Sequence, residues 1–169
     1  MEGNTMAKEP VKENTNVYFQ ARKRAAMSND RLYSRENAAE LIGISPYTLA
    51  DYELGNTKVV PVDKVMIMAD LYNCPELRTG YCKYECPIGK HIPLATTVSG
   101  IEGIALRLIK EFNEDDIRDI EKDLINIAAD GAISEDEKPM MEKIISKLDE
   151  MSLAISELKL AGEKALKGR

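Results

Sequence analysis

Histidine occurs once in these 169 residues and cysteine three times. No apolar run approaches the roughly 20 residues that a helix needs to span a bilayer. Gly-rich phosphate loops, Ser-His-Asp sets and HExxH patterns are all missing. These absences exclude most catalytic classes: a lone His is a poor basis for acid–base chemistry, and the abundant carboxylates fall on exposed helical faces with nothing to raise their pKa. The chain is therefore not expected to be an enzyme. An odd cysteine count without a signal-peptide pattern predicts a reducing, cytoplasmic setting. The net charge of -6 and pI near 5.0 argue, taken alone, against nucleic acid. An apolar content of 44 % in a chain of this length suits one moderate core plus a smaller one.

The most informative stretch is RENAAELIGISPYTLADYEL, from Arg35 to Leu54. Ala38, Ala39 and Ile42 line one helical face, and beyond Gly43 the residues Ile44, Leu49 and Tyr52 supply the inward face of a second helix. Gly43 tolerates the left-handed conformation that ends many helices, while Ser45 followed by Pro46 reads as an N-cap and the favoured first helical position. Ser34 is the expected cap of the preceding helix, and Gly55 ends the following one. The pattern predicts a helix-turn-helix. Its flanks agree: Val17, Ala21 and Ala25 share a face upstream, and Val62, Val65, Met66, Ala69 and Tyr72 recur at helical spacing after Pro61.

Arg22, Ala38, Ala39, Gly43, Ser45, Leu49, Glu53, Gly55 and Pro61 together resemble the Xre-type helix-turn-helix family of phage repressors and Cro proteins. The resemblance covers under half of the chain. It implies a four- or five-helix DNA-binding domain over 16–78, an arginine of the first helix (Arg22) paired with the glutamate closing the recognition helix (Glu53), and a repressor-like role on double-stranded DNA. The N-terminal residues of the recognition helix would face the major groove, here Ser45, Pro46, Tyr47, Thr48 and Asp51. With no Arg, Lys, Asn or Gln on that face, modest direct readout and some dependence on DNA shape are expected. Lys23, Arg24, Arg35, Asn56, Thr57 and Lys58 are the candidate phosphate contacts. Residues 1–100 hold as many basic as acidic residues, so the acid excess lies wholly in 101–169. Such a tail keeps away from DNA, and affinity should need two binding modules.

The fold class predicted for the whole chain is all-α, ending in a helical hairpin with a long coiled-coil-like helix over 97–169. Ile101, Ile104, Leu108 and Phe112 share one face, Asn113 is a cap, and Ile117, Ile120, Leu124 and Ile127 continue the pattern. A turn follows at Asp130-Gly131. Ser134 and Glu137 form a capping-box pattern ahead of Met141, Ile144, Leu148, Met151, Ile155 and Leu158, an alternation of three and four that suits packing on other helices. Homodimerisation through this seam is expected over a purely internal bundle. Pro139 implies a kink or a start later than Ser134. Read as a calcium loop, ADGAISEDE leaves Asn126 and Ala128 at the first and third ligand positions, too few oxygens to bind.

Between the two regions, residues 79–96 form a cysteine-containing connector. Cys74, Cys82, Cys86 and His91 fall within eighteen residues. Three thiolates and an imidazole complete a tetrahedral zinc set, and thiolates also suit an iron–sulfur cluster, although the spacing matches no standard zinc knuckle. Reduced structural or redox-responsive thiols are expected over metal binding. YCKYECPIGK resembles the short cysteine segment that follows the helix-turn-helix in regulators of clostridial type and their phages. That segment has a further cysteine where this chain has Arg78, so Cys74 or His91 would have to stand in. Residues 1–15 are polar, unpatterned and expected to be disordered.

The functional expectation is a sequence-specific transcription regulator, a repressor by family resemblance, binding a palindromic operator as a dimer. The alternative is a protein-interaction module that keeps the helix-turn-helix fold without reading DNA.

Overall fold

The computed structural model describes residues 14–129 and 131–167. The tail expected to be disordered thus falls almost entirely outside the described residues, as does Asp130 of the expected turn. The described residues form eight α-helices and no strand, which makes the chain all-α. Two compact units, Met1–Val60 and Pro61–Arg169, divide it. The span 16–78 straddles that boundary.

In the first unit, α1 (Val17–Ala26) is followed by a 3-10 turn at Asp30–Leu32, then α2 (Arg35–Ile42) and α3 (Pro46–Leu54). The helix boundaries follow from local chemistry. Ser34 Oγ accepts the Asn37 N–H, and Ser45 Oγ accepts the Thr48 N–H at 3.0 Å, each satisfying an orphan donor of a first turn. Gly43 has φ +72°, the Ile44 N–H returns to the Ala39 carbonyl at 3.0 Å, and α2 closes there. The same closure recurs at Gly55, φ +75°, with the Asn56 N–H on the Asp51 carbonyl. Ala38 and Ala39 are fully buried; side chains this small let α2 and α3 approach. Ala21, Leu32, Ile42, Leu49 and Tyr52 complete the core.

Inside that core sits a charge. Glu53 is fully buried, with Oε1 2.5 Å from Arg22 Nε and Oε2 3.0 Å from both Arg22 Nη2 and Arg35 Nε. Arg22 also donates through Nη1 to the Leu32 and Tyr33 carbonyls.

The second unit contains α4 (Val62–Leu71), α5 (Glu76–Tyr84), a 3-10 turn at Gly89–His91, α6 (Ile101–Glu111), α7 (Glu114–Ile127) and α8 (Lys138–Lys167). Its spine is α8. Ile144, Ala154 and Leu160 are buried along it, as is Ile104 on α6. Glu157 is also buried, accepting from the Ser99 N–H (2.9 Å), the Ser99 hydroxyl (2.7 Å) and Arg107. Further along, Lys147 bridges Glu111 at 2.9 Å and Asp116 at 2.7 Å. The C-terminal end of α8 is tied to the α4–α5 corner by Lys164–Glu76, Arg78–Glu163 and Lys167–Asp70 pairs. Asn113 caps α7 as expected. At α8 the Ser134–Glu137 capping contact forms, but the helix opens only at Lys138, so Pro139 lies in its first turn, where a missing N–H costs nothing.

The six-residue seam of α8 is only half covered. Ile144 is buried and Met141 and Met151 are half-buried, whereas Leu148, Ile155 and Leu158 are exposed.

The ionic contacts of each unit can be probed separately. Glu53→Ala leaves two arginines without their shared carboxylate and is expected to destabilise the first unit by about 3–5 kcal/mol, read from its urea transition. In the second unit, Lys147 and then Lys110 hold the Glu111 carboxyl below its usual range, and Lys147 and then Asn113 do the same for Asp116. Burial pushes Glu157 up, but the Ser99 and Arg107 contacts outweigh it and the net shift is downward. Groups with depressed native pKa values stabilise fully above their unfolded values and lose that contribution as pH falls through the native ones. Far-ultraviolet circular dichroism should therefore show helix loss on acidification below the ordinary 4.5 of a glutamate, and no comparable transition from these groups around neutral pH.

Candidate nucleic-acid interface

A helix that reads a groove must be held rigidly and keep its outer face open. In this chain α3 is anchored inward by Leu49, Tyr52 and Glu53, all buried. At its C-terminal end the Asn14 amide donates to the Glu53 carbonyl at 2.9 Å, and the Asn16 amide to the Tyr52 carbonyl at 3.0 Å. Asn16 Oδ1 simultaneously accepts from the Tyr18 and Phe19 N–H groups, so one side chain starts α1 and finishes α3. Gln20 adds a bond to the Asn14 carbonyl. None of these three residues is among the candidate site residues read from sequence. The cap at Asn16 was legible as an Asn ahead of an apolar-periodic run, whereas its second bond joins segments 36 residues apart.

The residues named from sequence on the outer face of α3 are uncovered to different degrees. Tyr47 is 77 % exposed, Ser45 and Pro46 are exposed, and Thr48 and Asp51 are half-buried. Several polar groups there are already engaged. Ser45 Oγ caps the helix and lies 2.8 Å from Thr48 Oγ1, and Asp51 Oδ1 accepts from the Asn56 amide at 3.0 Å. The Tyr47 ring and hydroxyl are the most prominent features of the face.

Lys23, Arg24 and Lys58 are exposed and Thr57 is half-buried. Lys23 Nζ also stands 5.8 Å from the Phe19 ring centroid. Arg35 differs from its assignment as a plain phosphate contact: its Nε is committed to Glu53, so part of its charge is spent inside the fold. Asn56 is likewise tied to Asp51.

Comparison with protein-family models, curated proteins and solved structures returns no match.

The four candidate metal ligands are not brought together as a ligand set. Among the described residues no group of three or more His, Cys, Asp or Glu side chains could hold a metal ion. The local structure gives the reason. Cys74 is buried at the α4–α5 corner, where its N–H bonds the Ala69 carbonyl. Cys82 lies on α5, Cys86 just past its end, and His91 is exposed at the end of the 3-10 turn. Cys82 and Cys86 are both half-buried free thiols. The loop that holds them is tight: a Cβ at Gly89 would lie 2.1 Å from the Cys82 carbonyl oxygen, so only glycine fits.

Thiol titration of the native protein should modify Cys82 and Cys86 before Cys74, which becomes reactive on unfolding. Mass spectrometry of the labelled peptides reads the order; early labelling of Cys74 would contradict the burial seen here.

Proposed function

We propose that the protein is a sequence-specific DNA-binding transcription regulator of the Xre kind, acting in the cytoplasm without catalytic chemistry and binding a dyad-symmetric site as a dimer. A repressor role follows from the family resemblance. The observation that carries the reading is the mounting of α3: a helix entered through Gly43, Ser45 and Pro46, locked at its far end by Glu53, with Tyr47 and its neighbours facing outward. Such a helix fits a major groove with its N-terminal residues against base edges.

The chemistry of the face defines what it reads. Tyr47 and the Thr48 methyl offer apolar contact to thymine methyls, and Asp51 accepts from a cytosine amino group when it releases Asn56. Phosphate contacts come from Lys23, Arg24 and Lys58, with Arg35 in a smaller part because of its ion pair. Few cations mean modest affinity per copy, and two copies on half-sites about 34 Å apart supply the rest. The cation-free face of α3 favours a second reading, a protein-interaction module built on the same fold.

Selection from random duplexes separates the two. A regulator enriches a dyad-symmetric motif; an interaction module enriches none. For the enriched site, Lys23→Ala and Lys58→Ala are each expected to weaken binding to all sequences alike and to lower the salt slope by about one, whereas Tyr47→Ala and Thr48→Ala should change base preference. Identical behaviour of the two sets in a fluorescence-anisotropy titration refutes the docking assignment.

A further inference from the structure

The half-open side of α8 has a regular pattern. Met141, Ile145, Leu148, Ser152, Ile155 and Lys159 follow one another at spacings of four and three, which places them in a single stripe along the helix. Ile145 is 50 % exposed, Leu148 45 % and Ile155 42 %. This stripe is distinct from the buried positions Ile144, Ala154 and Leu160, so α8 carries one apolar face for its own fold and a second that its own unit leaves half open. From Ile145 to Lys159 the stripe runs about 21 Å at 1.5 Å per residue.

Charge selects the occupant and its direction. The exposed carboxylates Glu142 and Asp149 border the N-terminal half of the stripe, and the ammonium of Lys159 sits in its C-terminal half. In a parallel pair each stripe residue faces its own copy, so two lysines meet in the seam. In an antiparallel pair crossing near Ser152, each Lys159 instead lies beside Glu142 and Asp149 of the partner copy, and opposite charges meet at both ends. At the crossing the small Ser152 side chains allow close approach, with Leu148 and Ile155 packing on either side.

We infer that α8 pairs with α8 of a second copy of this chain, antiparallel, through the Ile145–Leu148–Ser152–Ile155–Lys159 stripe, with the two-fold axis near Ser152. This assignment deepens the self-association part of the proposed function and does not depend on DNA binding. The exposed apolar residues of α6, Ile101, Leu106 and Ile109, span only about 12 Å of helix at 1.5 Å per residue and stay outside the seam.

The test is sedimentation equilibrium of the full chain without DNA. A dimer is expected, with Leu148→Asp and Ile155→Asp raising the dissociation constant about 100-fold or more at unchanged helix content, since each buries a charge in the seam, and Leu106→Asp leaving it intact. Direction is read by cysteine cross-linking: Ser152→Cys should give peptides joined by a disulfide between position 152 of one copy and position 152 of the other, identified by mass spectrometry, and Ile145→Cys should not link to itself. A monomeric wild-type protein, dissociation by Leu106→Asp in place of Leu148→Asp, or self-linking at 145 as readily as at 152 each overturns the inference. The cross-linking arm keeps the test decisive should an aspartate variant unfold. A dimer that enriches no DNA motif defeats the regulator reading alone, and a monomer that enriches a half-site defeats the antiparallel pairing alone.

Discussion

The Glu53 carboxylate, buried with no exposed surface and shared by Arg22 and Arg35, joins all three helices of the first unit. Arg22 belongs to α1, Arg35 to α2 and Glu53 to α3, and Arg22 extends the network to the Leu32 and Tyr33 carbonyls between α1 and α2. Burying charge is costly unless the partners are complete, and here the packing of the three helices brings both arginines to the one carboxylate. That arrangement fixes how far the N-terminal end of α3 projects. Asn14 and Asn16 finish the task by satisfying the last carbonyls of α3, where glycine ends the helix and exposed polar backbone would fray. The outward position of Tyr47 is thus the result of constraints placed at the opposite end of its helix.

The second unit uses polar clamps in a different way. Ser99 and Arg107 hold Glu157, Lys147 holds Glu111 and Asp116, and three ion pairs hold the end of α8 to the α4–α5 corner. These contacts set the register of a long helix whose buried apolar residues are few. Ile109, Ile125, Leu148 and Ile155 remain exposed, so the apolar faces of these helices are only partly covered by their own unit. The acidic excess of residues 101–169 favours solubility and repels nucleic acid, which suits the proposed division of labour between a reading unit and an assembling unit.

The cysteines illustrate the limits of spacing as a signal. Three thiols and a histidine within eighteen residues are a complete ligand inventory, yet helix α5 separates Cys74 from Cys86 and the 3-10 turn leaves His91 exposed to solvent. Proximity in sequence becomes convergence in space only when a turn returns the chain on itself. The one tight return here, at Gly89, closes on the Cys82 backbone.

The sequence by itself determined what local chemistry controls: the left-handed turns at Gly43 and Gly55, the caps at Ser34, Ser45 and Asn113, the inward Leu49 and Tyr52, and the helical periodicity of residues 101–167. Each depends on neighbours within one or two helical turns, so each is legible from spacing. The Arg22–Glu53 pair was legible through family resemblance and is present in the fold. Only the tertiary structure decided the commitment of Arg35 to Glu53, the double use of Asn16, the separation of the thiols, and which half of the α8 seam is covered. Those outcomes depend on which distant segment arrives at a given face. A periodic pattern declares that a face is apolar or charged, but it carries no record of its neighbour.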